Sequence, residues 1–268
     1  MGLMRLASTF VASYLGDMAT LKERFEGFMS VLDGVENIDT LMKECHLPGR
    51  QRADYLAFDR RVIIEQKSLD VDPDQKVQSF VDDLIRERGT LGTGQASLIS
   101  LAHILEGLPD GNDLKKQLYH KLTKGIDDLL AKADKQTRDT RETFVVPYAI
   151  GIVVILNDNA QILEPDFVAV KAFETLRKRS PAGELRYPNN EVVIVISEAH
   201  RVLTDDHVEL IPTETILSDA GNQRPIASTC ANLLRQRWAE YNGASQVEWP
   251  SPTRDVRTRD PQKLFSMK

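Results

Sequence analysis

The sequence predicts an α/β fold in which a mixed central sheet is flanked by helices and a helical block separates a hairpin from the later strands. Three observations lead there. Two short apolar runs, Ala53–Phe58 and Arg61–Lys67, flank the polar pair Asp59-Arg60 and read as a β-hairpin. Two continuous apolar runs, Ile150–Leu156 and Val192–Ile196, bracket an amphipathic stretch, the pattern of a parallel crossover covered on both faces. Between the hairpin and the first of these runs, apolar residues recur at three- and four-residue steps, the period of a helix.

Composition sets outer limits. The chain has 268 residues with 41% apolar and 28% charged positions, enough to bury a core and unlike collagen or disordered chains. Lys and Arg number 34 against 40 Asp and Glu, a formal charge of −6, which excludes a generally basic nucleic-acid coat while leaving local basic patches open. Cys45 and Cys230 stand far apart without a CxxC, so neither a disulfide framework nor a zinc ribbon is built from them. Met1–Leu15 reads as carrying no targeting signal, and the longest apolar stretch, Phe144–Leu156, is too short for a membrane helix. A cytoplasmic protein without membrane contact is the expectation.

In chain order, Phe10, Val11, Tyr14, Leu15, Met18, Leu21, Phe25, Phe28, Met29 and Leu32 fall on one stripe, predicting one or two amphipathic helices. The hairpin follows Pro48-Gly49, its turn being either tight or a four-residue loop, since Asp-Arg lacks the glycine of primed turns. Asp72-Pro73 then caps a helix whose stripe is Val77, Phe80, Val81, Leu84 and Ile85, ended by Gly89. Further helices are predicted at Gln95–Glu106, at Asp113 to about Lys135, at Asp166–Arg179 and at about Ile226–Ala239. From Gly243 the chain reads as an extended or partly disordered tail.

The hairpin concentrates the chemistry. With a loop centred on Asp59-Arg60, positions whose numbers sum to 119 lie opposite, so Asp54 faces Glu65. Opposed residues share a face with Cβ atoms about 4.5–5.5 Å apart, and Lys67 lies on that face too. Leu56, Phe58 and Ile63 make the rest of it apolar, as Tyr55, Ala57, Val62 and Ile64 make the other. Paired carboxylates at a partly buried position need Lys67, a raised pKa or a divalent metal to neutralise them. Hard oxygen donors suit Mg²⁺, with Mn²⁺ as a substitute, and such an ion beside a lysine serves phosphodiester hydrolysis. The bland alternative is an ordinary cross-strand charge cluster at a sheet end.

Asp54, an 11-residue step, then Glu65-Gln66-Lys67 at the end of a β-branched strand followed by an amphipathic helix, resembles the PD-(D/E)XK nuclease superfamily, also called restriction-endonuclease-like. The motif spans residues 54–67, and the order of elements extends the similarity over much of 1–197. The resemblance implies that Asp54, Glu65 and the main-chain carbonyl of Gln66 hold Mg²⁺ while Lys67 assists the attacking water. It implies a restriction-endonuclease-like sheet over residues 1–242 with a helical insertion at about 90–140, leaving 243–268 as the tail. Nucleic acid is then the partner, DNA favoured over RNA, and a homodimer is compatible. Ala53 stands where the motif has proline, and the strand expected before the Asp-bearing one has little room in Leu47–Arg52. Glu23, Glu26, Glu36 and Glu44 compete as the acid contributed by a preceding helix. A catalytically silent module on the same fold, binding nucleic acid or a protein partner, is the rival reading.

Other clusters read as structural. Gly89, Gly92 and Gly94 lack the Gly-Lys-Ser/Thr ending of a phosphate loop, and His200, Asp205, Asp206, His207 and Glu209 read as a solvated loop. His103 reads as a core residue. Arg177, Lys178, Arg179 and Arg186, with Arg235, Arg237, Arg254, Arg257 and Arg259, are either a phosphate-tracking surface or helix-end and tail cations.

Overall fold

A computed structural model describes residues 6–12, 19–45, 51–69, 73–88, 105, 108–203, 209–244 and 246–248. The strands are β1 (Leu6–Ala12), β2 (Glu36–Asn37), β3 (Tyr55–Ala57), β4 (Val62–Ser68), β5 (Ile150–Asn157), β6 (Val192–Ser197), β7 (Val202–Leu203), β8 (Glu209–Leu217) and β9 (Gln246–Glu248). The helices are α1 (Leu21–Val31), α2 (Ile38–Cys45), α3 (Pro73–Arg88), α4 (Gly111–Thr143), α5 (Pro165–Leu176), α6 (Asp219–Asn222) and α7 (Pro225–Tyr241).

The strands form one mixed sheet in the order β2-β3-β4-β5-β6-β8-β1-β9, with β7 also on β8. β4, β5 and β6 are parallel to one another, and the remaining pairs are antiparallel. Because β5 is covered on both faces its eight residues are all buried, which is why it reads as a continuous apolar run. Val153 and Ile155 point into a core with α3, α4 and α5, while Ile152 and Val154 point into a second core with α1 and α7. In that second core Trp238 packs on Phe25 and Phe28, with ring centroids 5.5 and 5.4 Å apart. A smaller cluster of Ile38, Met42, Ala53, Leu56, Ile63 and Ala149 anchors α2 beside the hairpin.

The expected N-terminal helical stripe is corrected in its first part. Phe10 and Val11 lie in β1, which pairs with β8 on one side and β9 on the other. Helix begins at Leu21, where a Thr20–Glu23 capping box satisfies the first free amides, and ends at Val31. The strand lacks any local signal against helix, and ladder partners some two hundred residues away decide its form. α4 runs to Thr143 instead of ending near Lys135. Its last two turns are polar and lack an apolar stripe, and they are held by buried Thr140, which accepts from Ala53 N–H, and by Arg141, which donates to Ala149 O. The strand that precedes β3 among the described residues is β2, placed before α2.

The first residues after Gly243 enter the sheet as β9, and 249–268 lie outside the described residues. The predicted helix at 95–106 lies outside them too, apart from buried Leu105, as do Asp72, Gly89, Gly92, Gly94 and His103. Among the described residues, no helix is long and apolar enough to cross a membrane.

Candidate functional site

The hairpin is built in the register the local arithmetic requires: Tyr55 opposes Ile64, Leu56 opposes Ile63 and Ala57 opposes Val62. Its loop, Phe58–Arg61, closes with Arg61 N–H donating to Phe58 O at 3.1 Å. Phe58, Asp59 and Arg60 all adopt left-handed backbone, with φ of 51°, 55° and 61°. That conformation costs each non-glycine residue free energy, and within the loop Arg60 donates twice to Glu36 at 2.7 and 2.6 Å. Glu36 is thereby engaged at the loop end of the hairpin.

At the other end sit the three predicted catalytic residues. Asp54 N–H donates to Ile64 O at 3.2 Å, and the Asp54 carboxylate accepts from Gln66 N–H at 2.6 Å, so this acid straddles the last residues of β4. Glu65 is 1% exposed and accepts from the Lys67 ammonium, whose side chain is 22% exposed. Its other oxygen, Oε2, is buried without a hydrogen-bond partner, and so is Oε1 of Gln66. Burial pushes the Glu65 carboxyl up to about 8, the Asp54 charge adds to this, and Lys67 counteracts it. Asp54 is also pushed up, chiefly by burial and against the pull of the Gln66 amide and Lys67. The structure therefore brings Asp54, Glu65, Gln66 and Lys67 together in buried surroundings short of positive charge.

Two helices complete the surroundings with residues the sequence did not single out. Gln136 of α4 accepts from Lys67 Nζ at 2.9 Å and donates to Arg52 O at 2.7 Å. One turn later Thr140 Oγ1 accepts from Ala53 N–H at 2.9 Å. Two polar side chains spaced i, i+4 thus fasten the strand bearing Asp54 to the lysine opposite it. A polar pair at helical spacing is visible in the sequence, but nothing local points it at the hairpin. Of the four candidate helical acids, Glu26 of α1 lies close enough for its charge to raise the Asp54 pKa, and Asp39 of α2 does so more strongly. Glu23 is consumed by the α1 cap, and the Glu44 side chain lies outside the described residues.

Among the described residues, no group of three or more His, Cys, Asp and Glu side chains is arranged to hold a metal. The acids gathered at the hairpin are instead the two carboxylates of Asp54 and Glu65, and the unpartnered Glu65 Oε2 fits a hard divalent cation. His200 bridges Ser197 Oγ at 2.8 Å and Gln161 O at 2.7 Å, a structural tie. Asp205, Asp206 and His207 lie outside the described residues, as do Arg254, Arg257 and Arg259. Lys178 pairs with Asp127 at 2.6 Å, Arg179 with Asp219 at 3.1 Å and Arg237 with Glu240 at 2.9 Å. Arg235 is buried, and Arg177 lies over the Phe173 ring at 5.1 Å. That set of cations is largely occupied within the protein. No protein-family model matches the chain, and neither a curated protein nor a solved structure matches it, so the site is read from its own geometry.

Proposed function

We propose that this chain is a Mg²⁺-dependent phosphodiesterase that hydrolyses nucleic acid, DNA in preference to RNA, with Mn²⁺ able to substitute. The observation that carries the reading is the meeting of Asp54, Glu65 and Lys67 at the end of one buried hairpin. The resemblance of Asp54 and Glu65-Gln66-Lys67 to the PD-(D/E)XK motif points the same way. Asp54, Glu65 and the main-chain carbonyl of Gln66 would hold the ion, which when bound polarises a phosphate oxygen and acidifies its water.

The remaining work falls to the chain itself. Asp54, tied to the Gln66 amide, keeps its carboxylate aimed across the strand end. Buried Glu65, once its proton is displaced, would supply negative charge that a cation offsets. Lys67, held by Gln136 and partly exposed, can donate to the attacking water or to the oxygen on which charge develops. A second reading, a catalytically silent binding module, is favoured by the internal pairing of Lys178, Arg179 and Arg237.

Plasmid DNA, single-stranded DNA and RNA incubated with Mg²⁺ or Mn²⁺ separate the two. Wild-type protein should cleave, and Asp54→Ala and Lys67→Ala should each lose about 10²-fold or more. Equal cleavage by all three proteins, or none by wild type, overturns the phosphodiesterase reading, and binding without cleavage favours the silent module.

A further inference from the structure

A groove of about 690 Å³ lies along α4 where Lys76 of α3 borders it, and none of its lining residues belongs to the hairpin cluster. Its walls carry Lys76 from α3 and Lys116, His120, Lys121 and Lys124 from α4, with Asp128 at one end. Lys116, His120, Lys124 and Asp128 follow four-residue steps, so they line one ridge at about 6 Å intervals. On a chain of net charge −6, four lysines and a histidine against one acid make a local reversal of sign.

The cations are available. Among the described residues, neither Lys76 nor Lys124 forms an ion pair, whereas Lys116 meets Asp113 at 3.2 Å and Lys121 meets Asp83 at 3.6 Å, both in exposed, screened positions. Gly125, in the middle of the long α4, also lines the groove, and a Cβ there would stand at ordinary contact distance, 3.9 Å, from Lys76 Nζ.

The groove also leads somewhere. Lys76 and Gly125 border a smaller cavity whose wall includes Ser68 and Leu69, the two residues after Lys67. Along α4, Gly125 precedes Gln136, the partner of Lys67, by eleven residues, or about 16 Å of helix. An exposed ring such as His120 at the groove can stack on a base splayed out of a single strand, whereas the bases of a duplex are already paired and stacked.

We propose that the α3–α4 groove is a track for the phosphate backbone of single-stranded nucleic acid, leading toward the Asp54–Glu65–Lys67 cluster. This rests on the phosphodiesterase reading for its destination. The lysines contact successive phosphates, and the exposed His120 ring offers a surface on which a base stacks.

Fluorescence anisotropy of a labelled single-stranded DNA oligonucleotide, measured in EDTA so that no cleavage occurs, tests the track with the full chain. Lys76→Gln/Lys124→Gln should weaken binding about tenfold or more and lower the slope of log K against log salt by about 1.4, two single-strand phosphate contacts. Arg177→Gln/Arg237→Gln, which removes the same charge elsewhere, should leave both nearly unchanged. Gly125→Leu adds bulk to the groove lining and should weaken binding while the thermal midpoint is kept or raised. Equal losses in the lysine and arginine variants, unchanged binding in the lysine variant, or binding of duplex but not single strand each overturn the track. If the lysine variant loses binding while no protein cleaves with Mg²⁺, the groove stands and the phosphodiesterase reading falls. If Asp54→Ala binds normally and has lost cleavage, both stand.

Discussion

Glu65 shows how much one side chain's setting decides. An unfolded glutamate titrates near 4.5, whereas in the folded protein burial holds this carboxyl near 8. As pH rises between those values the unfolded chain gives up its proton and the native site does not, so the metal-free protein loses stability across that window. Glu65→Gln keeps the shape without the charge, and its urea midpoint should fall less than that of wild type from pH 5 to pH 8. The difference between variant and wild type should therefore shift in favour of the variant between pH 5 and pH 8. An identical pH dependence in both proteins would show that Glu65 is not held protonated. Gln136 acts at the same scale through its two hydrogen bonds. Gln136→Leu should cost about 1–3 kcal/mol in urea unfolding, because Lys67 and Arg52 O both lose a partner, and should lower cleavage more than substrate affinity.

At the scale of elements, the hairpin was legible because its two strands are joined by four residues and their polar ends are in phase. The register and the segregation of Tyr55, Ala57, Val62 and Ile64 from Leu56 and Ile63 follow from that locality. The last turns of α4 were not legible, since their polar residues are stabilised by hydrogen bonds to Arg52 and Ala53, just before β3, and to Lys67 of β4, and not by an apolar stripe. β5 has a tighter requirement at its start. A Cβ on Gly151 would sit 1.9 Å from Asn189 O, backbone that cannot yield like a flexible side chain. Gly151→Ala should therefore destabilise the protein by at least about 1–3 kcal/mol, read as a lowered denaturation midpoint. A neutral effect would mean that the segment before β6 shifts freely. That segment is held by Glu191, which accepts from Gly151 N–H at 2.5 Å and Arg141 at 2.6 Å and is paired with Arg224.

For the whole molecule, the two cores on opposite faces of the sheet have separate duties. The face with α3 and α4 carries Gln136 and the lysine groove, and the face with α1 and α7 places Glu26 near Asp54. Trp238 is 2% exposed and joins α7 to Phe25 and Phe28 of α1. Trp238→Ala should cost about 3–5 kcal/mol, measured by chemical unfolding, with residual activity tracking the folded fraction. A loss below about 1 kcal/mol would show that the α1–α7 seam does not hold that layer in place.

The sequence alone determined the α/β character, the hairpin register and the nearness of Asp54 to Glu65, because each depends on residues close together in the chain. Tertiary structure alone decided that residues 6–12 form a strand, that Gln136 and Thr140 serve the hairpin, and that Lys76 meets the lysines of α4. Those outcomes depend on partners distant in sequence, whose contributions to hydrogen bonding and field exist once the chain has closed around them.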